Sequence, residues 1–239
     1  MTVSRKPGGL PASKHCRAVN LYSNTTYYVN TTPFSDLGIS TPILNAISEM
    51  GFEAATKIQA AAIPIIMSGR DVAGQAQTGT GKTAAFAIPV LERIDPNSKT
   101  VQAIVMCPTR ELAVQVTGEF IKLADQMNGV KITPVYGGQP ISRQIKQIKS
   151  GTQIVVGTPG RVIDHLKRGT LQLKNLKMVI LDEADEMLNM GFRDDIETIL
   201  GFSSEDAPKQ TIMFSATMSK DIKRIMNKFF TNPEMIKVE

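Results

Sequence analysis

Residues 76–83 read Ala76-Gln77-Thr78-Gly79-Thr80-Gly81-Lys82-Thr83, and this stretch decides the fold. A predicted strand precedes it and a predicted helix follows it, which is the context of a phosphate-binding P-loop. Gly79 and Gly81 allow successive N–H groups to turn inward, so we expect an anion nest at the positive end of a helix. Lys82 is expected to reach the β- and γ-phosphates of a nucleotide, and the Thr83 hydroxyl to ligate Mg²⁺. The general pattern begins with Gly where this chain has Ala76, and a flexible Gly/Thr-rich turn is the alternative interpretation.

Short apolar runs alternate with amphipathic segments on both sides of this loop. The predicted strands are 71–74, 103–106, 132–135, 154–156, 178–181 and 211–214. The predicted helices are one capped by Ser40 or Thr41 and segments near 57–67, 82–93, 111–127, 141–149, 161–168 and 219–230. This alternation predicts a single α/β domain with a mainly parallel sheet and helices on both faces. Ligands of such sheets bind at the carboxyl ends of the strands, where the P-loop falls.

An acidic run, Asp182-Glu183-Ala184-Asp185, follows the predicted apolar strand 178–181. A carboxylate at the end of a strand beside a P-loop suits Mg²⁺, usually through water, and we assign this to Asp182. Glu183 would point elsewhere and could orient or deprotonate an attacking water. The alternative is a solvated acidic helix N-terminus. The pairing with the P-loop favours the functional interpretation.

Upstream of the P-loop, residues 51–59 contain a candidate base-reading segment. The Gln59 side chain offers one acceptor and two donors, which can pair with adenine N6 and N7. Phe52 could stack on the base. The alternative is a helix N-terminus, with Thr56 as its cap and Gln59 at the third helical position of a capping box.

The net charge of +5 is unevenly distributed along the chain. Residues 1–33 hold Arg5, Lys6, Lys14 and Arg17 and no acidic residue, so the remaining chain is nearly neutral. Any polynucleotide would therefore be bound at a local site rather than by a basic surface that extends over the whole domain. We interpret 1–33 as a disordered tail or as upstream sequence from a misassigned start. A basic, aromatic nucleic-acid-binding arm is the alternative.

Several classes of protein are disfavoured by composition. The only cysteines are Cys16 and Cys107, which is neither a disulfide framework nor a metal site, so a reducing cytoplasm is the expected compartment. No apolar run approaches the length of a membrane span, and we expect neither a signal peptide nor a membrane partner.

Together these residues resemble the first RecA-like domain of a DEAD-box RNA helicase, over the range from Phe34 to the C-terminus. The box reads Asp-Glu-Ala-Asp, and the family's P-loop also begins with Ala, which explains Ala76. Residues 51–59 match the adenine-sensing Q motif, with Phe34 as its isolated upstream aromatic. The family commonly has Pro where this chain has Ala55 and Lys57. The resemblance raises Gln59 from a capping residue to an adenine reader, with Phe52 and Thr56 beside it.

Further motifs match the family in order, and the resemblance implies their roles. RNA-backbone contacts are implied for Pro108-Thr109-Arg110-Glu111-Leu112-Ala113, for Gly137-Gly138 and for Thr158-Pro159-Gly160-Arg161. Arg and Thr side chains and helix N-terminal amides are common phosphate donors, although each motif alone would be read as a strand-to-helix turn. Ser215-Ala216-Thr217 resembles the motif that couples hydrolysis to strand separation, through hydrogen bonds from Ser215 or Thr217 to Asp185.

The resemblance implies ATP and Mg²⁺ as cofactors, RNA as partner, and a second RecA-like domain that supplies an arginine finger. No second-domain motif such as His-Arg-x-Gly-Arg is present before the chain ends at Glu239. We therefore expect this chain to be one of the two motor domains, which binds ATP, hydrolyses it weakly and does not unwind duplexes by itself. One alternative is a non-catalytic, ATP-gated RNA-binding module. Another is a kinase or GTPase, although no Asn-Lys-x-Asp run or acceptor lid is found.

Overall fold

The computed structural model describes residues 32–201 and 209–238. Of the predicted N-terminal tail, only Thr32 and Pro33 fall within that range, and Thr32 forms an isolated antiparallel bridge with Ala55. A short 3₁₀ helix spans Phe34–Leu37. The helices are α1 (Thr41–Glu49), α2 (Lys57–Met67), α3 (Lys82–Arg93), α4 (Arg110–Leu123), α5 (Ile141–Lys149), α6 (Pro159–Lys167), α7 (Ala184–Asn189), α8 (Arg193–Gly201) and α9 (Lys220–Phe229). The strands are β1 (Val72–Gln75), β2 (Ala103–Met106), β3 (Ile132–Val135), β4 (Ile154–Gly157), β5 (Met178–Leu181), β6 (Gln210–Ser215) and β7 (Glu234–Lys237).

The seven strands form one sheet in the order β3-β4-β2-β5-β6-β1-β7, and every pairing is parallel. The predicted α/β fold with a parallel sheet is thereby confirmed. The inner strands β2, β4, β5 and β6 are buried along their whole length, as expected for a parallel sheet covered on both faces. Within the described residues, no helix combines the length and apolarity needed to cross a membrane.

Two hydrophobic cores lie on opposite faces of the sheet. Successive strand residues alternate between them, so that Val105 packs in one core while Ile104 and Met106 pack in the other. The first core receives α1 to α4, and the second receives α5 to α9. The predicted placement of helices on both faces is therefore confirmed.

A close approach of β1 to β6 is made possible by Gly74. Gly74 is paired in register with Phe214, and a Cβ built on Gly74 would lie 2.5 Å from the Phe214 ring. That ring also packs against Phe86 of α3, with 5.8 Å between centroids. The absence of a side chain at Gly74 thus lets an aromatic cluster fix the helix that follows the P-loop.

One predicted cap is not formed. Ser40 is the residue before α1, but its hydroxyl makes no capping hydrogen bond. Instead, the Ser40 backbone N–H donates to Glu92 Oε1 at 2.7 Å. Pro42 lies in the first turn as predicted, where its missing N–H costs the helix no hydrogen bond.

Apart from the base-reading segment 51–59, which runs from the loop after α1 into α2, the predicted motifs lie at the carboxyl ends of strands on the same edge of the sheet. The P-loop follows β1, and the segments beginning at Pro108, Gly137 and Thr158 follow β2, β3 and β4. The acidic run follows β5, Ser215 is the last residue of β6, and residues 216–217 follow it. Because carboxyl ends of parallel strands share one edge, segments distant in sequence meet there.

Candidate functional site

The P-loop has the backbone that its glycines allow. Gly79 and Gly81 have φ of +79° and +88°, and Gly81 immediately precedes α3. Ala76 N–H donates to the Ser215 carbonyl at 3.1 Å, and the Thr80 hydroxyl donates to the Gln77 carbonyl at 2.8 Å. The loop therefore opens a twelve-residue helix, whose N–H groups form a positive end.

A cleft of about 890 Å³ opens beside this loop. Many residues with predicted nucleotide or magnesium roles line it: Phe52, Thr56, Gln59, Thr78, Gly79, Gly81, Lys82, Thr83, Asp182 and Glu183. Ala76, Gln77 and Thr80 do not line it. Ala76 is instead buried under the loop, and Phe34 is buried in the core of the first face.

Two buried atoms of charged side chains in this cleft lack hydrogen-bond partners. Among the described residues, Lys82 Nζ and Asp182 Oδ1 are the buried side-chain nitrogen and oxygen atoms without one. Buried charges normally have partners, because removing them from water is costly. The cleft is therefore built for a ligand that accepts hydrogen bonds from a cation and neutralises a carboxylate.

The carboxyl of Asp182 is held in an unfavourable environment for its charge. Burial raises its pKa from the ordinary 3.8 to about 6, against the opposing effect of Lys82 and with a smaller contribution from Glu183. The folded domain thus binds this proton more tightly than the unfolded chain. The stability that Asp182 contributes is fully present below about pH 4 and is lost as the pH rises through about 6.

Asp182→Asn is expected to stabilise the metal-free, nucleotide-free domain above pH 6. Two pKa units correspond to about 3 kcal/mol in the free energy of unfolding. Denaturant unfolding at pH 4.5 and pH 7.5 measures the gain, which should be small at the lower pH. Asp185→Asn is the matched control, because the pKa of Asp185 is lowered and its replacement should destabilise the domain. Equal gains for Asp182→Asn at both pH values would contradict the expectation.

Glu183 adopts a backbone conformation that is rare for a residue with a side chain. Its φ and ψ are +51° and +52°, in the left-handed region, and it immediately precedes α7. Such conformations persist where the surrounding structure imposes them, often at functional sites. This turn directs the Glu183 side chain away from that of Asp182. The Asp182 N–H donates to the Met106 carbonyl at the end of β2.

Gln59 combines the two interpretations of its segment. Its Oε1 accepts from the Thr56 N–H at 2.9 Å in a capping box, and its Nε2 donates to the Gly81 carbonyl at 3.0 Å. One lone pair of Oε1 and one N–H of Nε2 are left by these bonds. Gln59 therefore connects the segment before α2 to the P-loop while keeping one acceptor and one donor. Phe52, beside it, is 42% exposed.

Asp185 is bonded to the segment that follows β6. Its carboxylate accepts from the Thr217 hydroxyl at 3.0 Å and from the N–H groups of Thr217 and Ala216. Burial alone would raise the pKa of Asp185, but the hydrogen bonds that its carboxylate accepts, including those from Thr217 and Ala216, outweigh burial and lower the pKa. The Ser215 hydroxyl has a single proton, and its 2.7 Å contact is to the Thr217 carbonyl. Of the two predicted donors, Thr217 thus makes the direct bond in this geometry.

A second groove of about 600 Å³ gathers the predicted RNA-contact motifs. Eight residues of the predicted motifs line it: Pro108, Thr109, Arg110, Glu111, Gly137, Thr158, Gly160 and Arg161. Met190 and Phe192, which were not predicted, also line it, and Met190 is 48% exposed. Pro159 is buried in the first turn of α6 instead. Three separate motifs thus form one surface.

Arg110 is packed against the two glycines of the loop after β3. Gly138 has φ of +83°, and a Cβ on it would overlap the Arg110 guanidinium. A Cβ on Gly137 would lie 3.4 Å from Arg110 Nη2. The glycine pair therefore makes room for the guanidinium at the groove.

Sequence reasoning missed one wall of the large cleft. Leu112, Gln115, Glu119 and Lys122 of α4 line it, together with Glu49 of α1. On α4 these residues recur every three to four positions, so they share one helix face. That periodicity was a usable signal, but no motif marks it.

The DEAD/DEAH box helicase family model matches residues 56–225, which is more than half of the chain. The chain belongs to this family. Curated relatives named DEAD-box ATP-dependent RNA helicase CshA are similar to it. It is 54% identical to the Bacillus subtilis protein over 87% of this chain and 42% of that one, and 52% identical to the Geobacillus kaustophilus protein. The chain thus spans about two fifths of the length of these relatives.

Solved structures support the same assignment. A DEAD-box protein from Methanococcus jannaschii superposes with a TM-score of 0.82 at 47% identity, over 88% of this chain and 57% of that one. A hypothetical ATP-dependent RNA helicase from Sulfolobus tokodaii gives 0.76 at 40% identity, over 84% and 57%. The resemblance to the first RecA-like domain of a DEAD-box protein is therefore confirmed.

Proposed function

We propose that this chain is the ATP- and RNA-binding first motor domain of a DEAD-box RNA helicase. In the intact enzyme, Mg-ATP binding and hydrolysis would be coupled to remodelling of RNA duplexes in the cytoplasm. The observation that carries the proposal is the pair of buried, unpartnered charges, Lys82 Nζ and Asp182 Oδ1, beside a P-loop. A magnesium nucleotide supplies what each lacks, since phosphate oxygens accept from the ammonium and the cation neutralises the carboxylate.

The residues of the cleft fit ATP. Gln59 keeps one acceptor and one donor for the adenine edge, and exposed Phe52 offers a ring for stacking, with Thr56 holding the segment. The P-loop from Ala76 to Thr83 would hold the phosphates through its backbone N–H groups and Lys82. Thr83 and Asp182 would hold Mg²⁺, partly through water. When bound, this ion neutralises charge on the phosphates.

Glu183 is proposed as the residue that orients or deprotonates the attacking water. It lines the cleft next to Asp182, and its left-handed backbone sets it apart from that magnesium ligand. A carboxylate within reach of a water and outside the metal's own ligands can act as a base. Asp185, with Thr217 and Ser215, would transmit changes at the Glu183 carboxylate to the carboxyl end of β6.

The second groove is proposed to hold the RNA backbone. Arg110 and Arg161 provide guanidinium donors, and α4 and α6 begin at the groove, at Arg110 and Pro159, with their N-terminal amides. Contacts of this type recognise sugar and phosphate and carry little sequence information. The RNA is therefore expected to be bound with little sequence preference.

Gly138→Ala is expected to weaken RNA binding by about tenfold, because the new Cβ displaces Arg110 and a charge-assisted contact is worth about 1.5 kcal/mol or more. Fluorescence anisotropy with a labelled single-stranded RNA at low salt measures the effect. Gly38→Ala is the matched control, since Gly38 also has positive φ, +72°, but open space around its Cβ position. Equal RNA affinity for the two variants would refute the groove as the RNA site.

Two other functions remain as outcomes of binding experiments. Stronger competition by GTP than by ATP would indicate a different P-loop enzyme. ATP-dependent RNA binding without turnover, even with a second domain supplied, would indicate a non-catalytic, ATP-gated RNA-binding module. We propose a second RecA-like domain as the partner of this chain. Turnover measured with that domain supplied distinguishes an enzyme from a non-catalytic RNA-binding module.

A further inference from the structure

A buried series of hydrogen-bonded side chains lies behind the RNA groove and joins His165 to Gln144 and Gln144 to Arg161. We propose that His165 and Gln144 are positioning residues that hold the Arg161 guanidinium in the orientation that binds an RNA phosphate. This inference rests on the proposed RNA-binding role of Arg161 and adds two residues that no motif assigns.

Gln144 is the centre of the series. Its side chain, on α5, is buried, with 2% of its surface exposed. Gln144 Nε2 donates to the Tyr136 carbonyl at 2.8 Å, and Gln144 Oε1 accepts from Arg161 Nη1 at 3.1 Å. A carbonyl can only accept and a guanidinium can only donate, so both contacts fix the same orientation of the amide. Gln144 therefore ties the strand end before Gly137 to Arg161 of α6.

His165 provides the second hydrogen-bond donor to Gln144 Oε1. Its Nε2 lies 3.0 Å from Gln144 Oε1, and its Nδ1 lies 2.9 Å from Thr170 Oγ1. Because Oε1 is an acceptor, Nε2 must carry the proton. Burial lowers the pKa of His165, as does the nearby charge of Arg161, which agrees with a neutral ring. Nδ1 is then an acceptor, and the Thr170 hydroxyl, which also lies 3.1 Å from the His165 carbonyl, has one proton to donate to either of them.

Arg161 is thereby held at one end of its guanidinium. Nη1 donates to the Gln139 carbonyl at 3.0 Å as well as to Gln144 Oε1, so two acceptors account for its two hydrogens. Nε lies 4.0 Å from Asp164 Oδ2, too far for a hydrogen bond. The Nη2 group is left for a phosphate oxygen. Holding a long side chain in its binding orientation before RNA arrives removes part of the entropic cost of binding.

A purely structural role would predict something different. His165 is fully buried, and an apolar side chain there would avoid the cost of burying a polar ring. The ring instead donates its one N–H, at Nε2, to Gln144 Oε1, which is the same oxygen that accepts from Arg161. If the series only stabilised α6, disrupting it would lower the stability of the domain without any coupling to RNA affinity.

Two substitutions of similar size separate these roles in the full chain. In His165→Gln, the amide nitrogen can take the position of ring Nε2 and keep the bond to Gln144. In His165→Asn, the shorter amide reaches only the position of Nδ1. RNA affinity, measured by anisotropy, is expected to fall about three- to tenfold in His165→Asn and to stay within about twofold of wild type in His165→Gln. The slope of log affinity against log salt should decrease by about 0.7 in His165→Asn, as for one lost phosphate contact.

The decisive comparison repeats both substitutions in an Arg161→Ala background. There, His165→Asn is expected to have no further effect on RNA affinity, which is the signature of coupling between the two residues. An equal loss in both backgrounds, or no loss in either, overturns the positioning role alone. Unchanged RNA affinity of Arg161→Ala itself would instead overturn the proposed RNA role of Arg161.

A measurement on the wild-type protein covers the case in which His165→Asn does not fold, as judged by its melting curve and ATP affinity. The chain has two histidines, His15 and His165, so ¹⁵N spectra of the imidazoles can be assigned with a His15→Gln variant. The Nε2-protonated neutral ring is expected for His165 at pH 7. A charged ring or an Nδ1-protonated ring would overturn the inference.

Discussion

Supplied with a second RecA-like domain, the chain is expected to hydrolyse ATP about 10³- to 10⁵-fold faster than it does alone, because that domain brings an arginine finger to the transition-state charge. The comparison is steady-state turnover of the 239-residue chain with and without RNA, and with the second RecA-like domain of a DEAD-box helicase supplied as a separate protein. Alone, the chain should turn over near background while still binding ATP. A second domain whose finger arginine is replaced by alanine is the control and should give no increase.

Glu183→Gln tests the same assembly from this side of the cleft. Its amide cannot accept a proton from water, so turnover in the presence of the second domain should fall to the level of the isolated chain. ATP affinity should be unchanged, since Glu183 is proposed to act on the water. Strong RNA-stimulated turnover by the chain alone, lost in Glu183→Gln, would instead show that the finger comes from another source, such as a second copy of the chain.

Lys82→Ala is expected to weaken ATP binding by about 150- to 5,000-fold. Its ammonium is buried without a hydrogen-bond partner, and losing one member of a buried ion pair with phosphate costs about 3–5 kcal/mol. Titration with a fluorescent ATP analogue measures the loss. Lys122→Ala is the matched control, because Lys122 lines the same cleft from α4. If both variants bound ATP equally, the nucleotide would not lie on the P-loop.

The order and type of most elements could be predicted from the sequence, because the inner strands are apolar runs and the helices are amphipathic. The sequence analysis missed β7, which lies at the sheet edge and consists of Glu234, Met235, Ile236 and Lys237, without the polar–apolar alternation of a strand. It also missed α8, and it gave the start of α7 only as the alternative interpretation of the acidic run as a helix N-terminus. In each case, pairing or packing with distant residues stabilises a segment whose own pattern is weak.

The site was predictable where a motif states its chemistry, as in the P-loop and the acidic run. The sequence could not show that Lys82 Nζ and Asp182 Oδ1 are buried without a hydrogen-bond partner, since burial depends on the whole fold. It also gave no sign of His165, because a single histidine on a helix face has no pattern. Gln59 shows a third case, in which a capping residue and a base reader were treated as alternatives and the geometry accommodates both.

The position of β1 between β6 and β7 has a consequence for how the protein is made. A ribosome releases the chain from its N-terminus, so β2 to β5 can pair with one another before either neighbour of β1 exists. Until residues 210–237 emerge, the free edge of β5 and the unpaired P-loop strand are exposed to other nascent chains and to chaperones. ATP is thus expected to stabilise only a nearly completed polypeptide, and translational pauses before residue 210 would leave the most aggregation-prone intermediate.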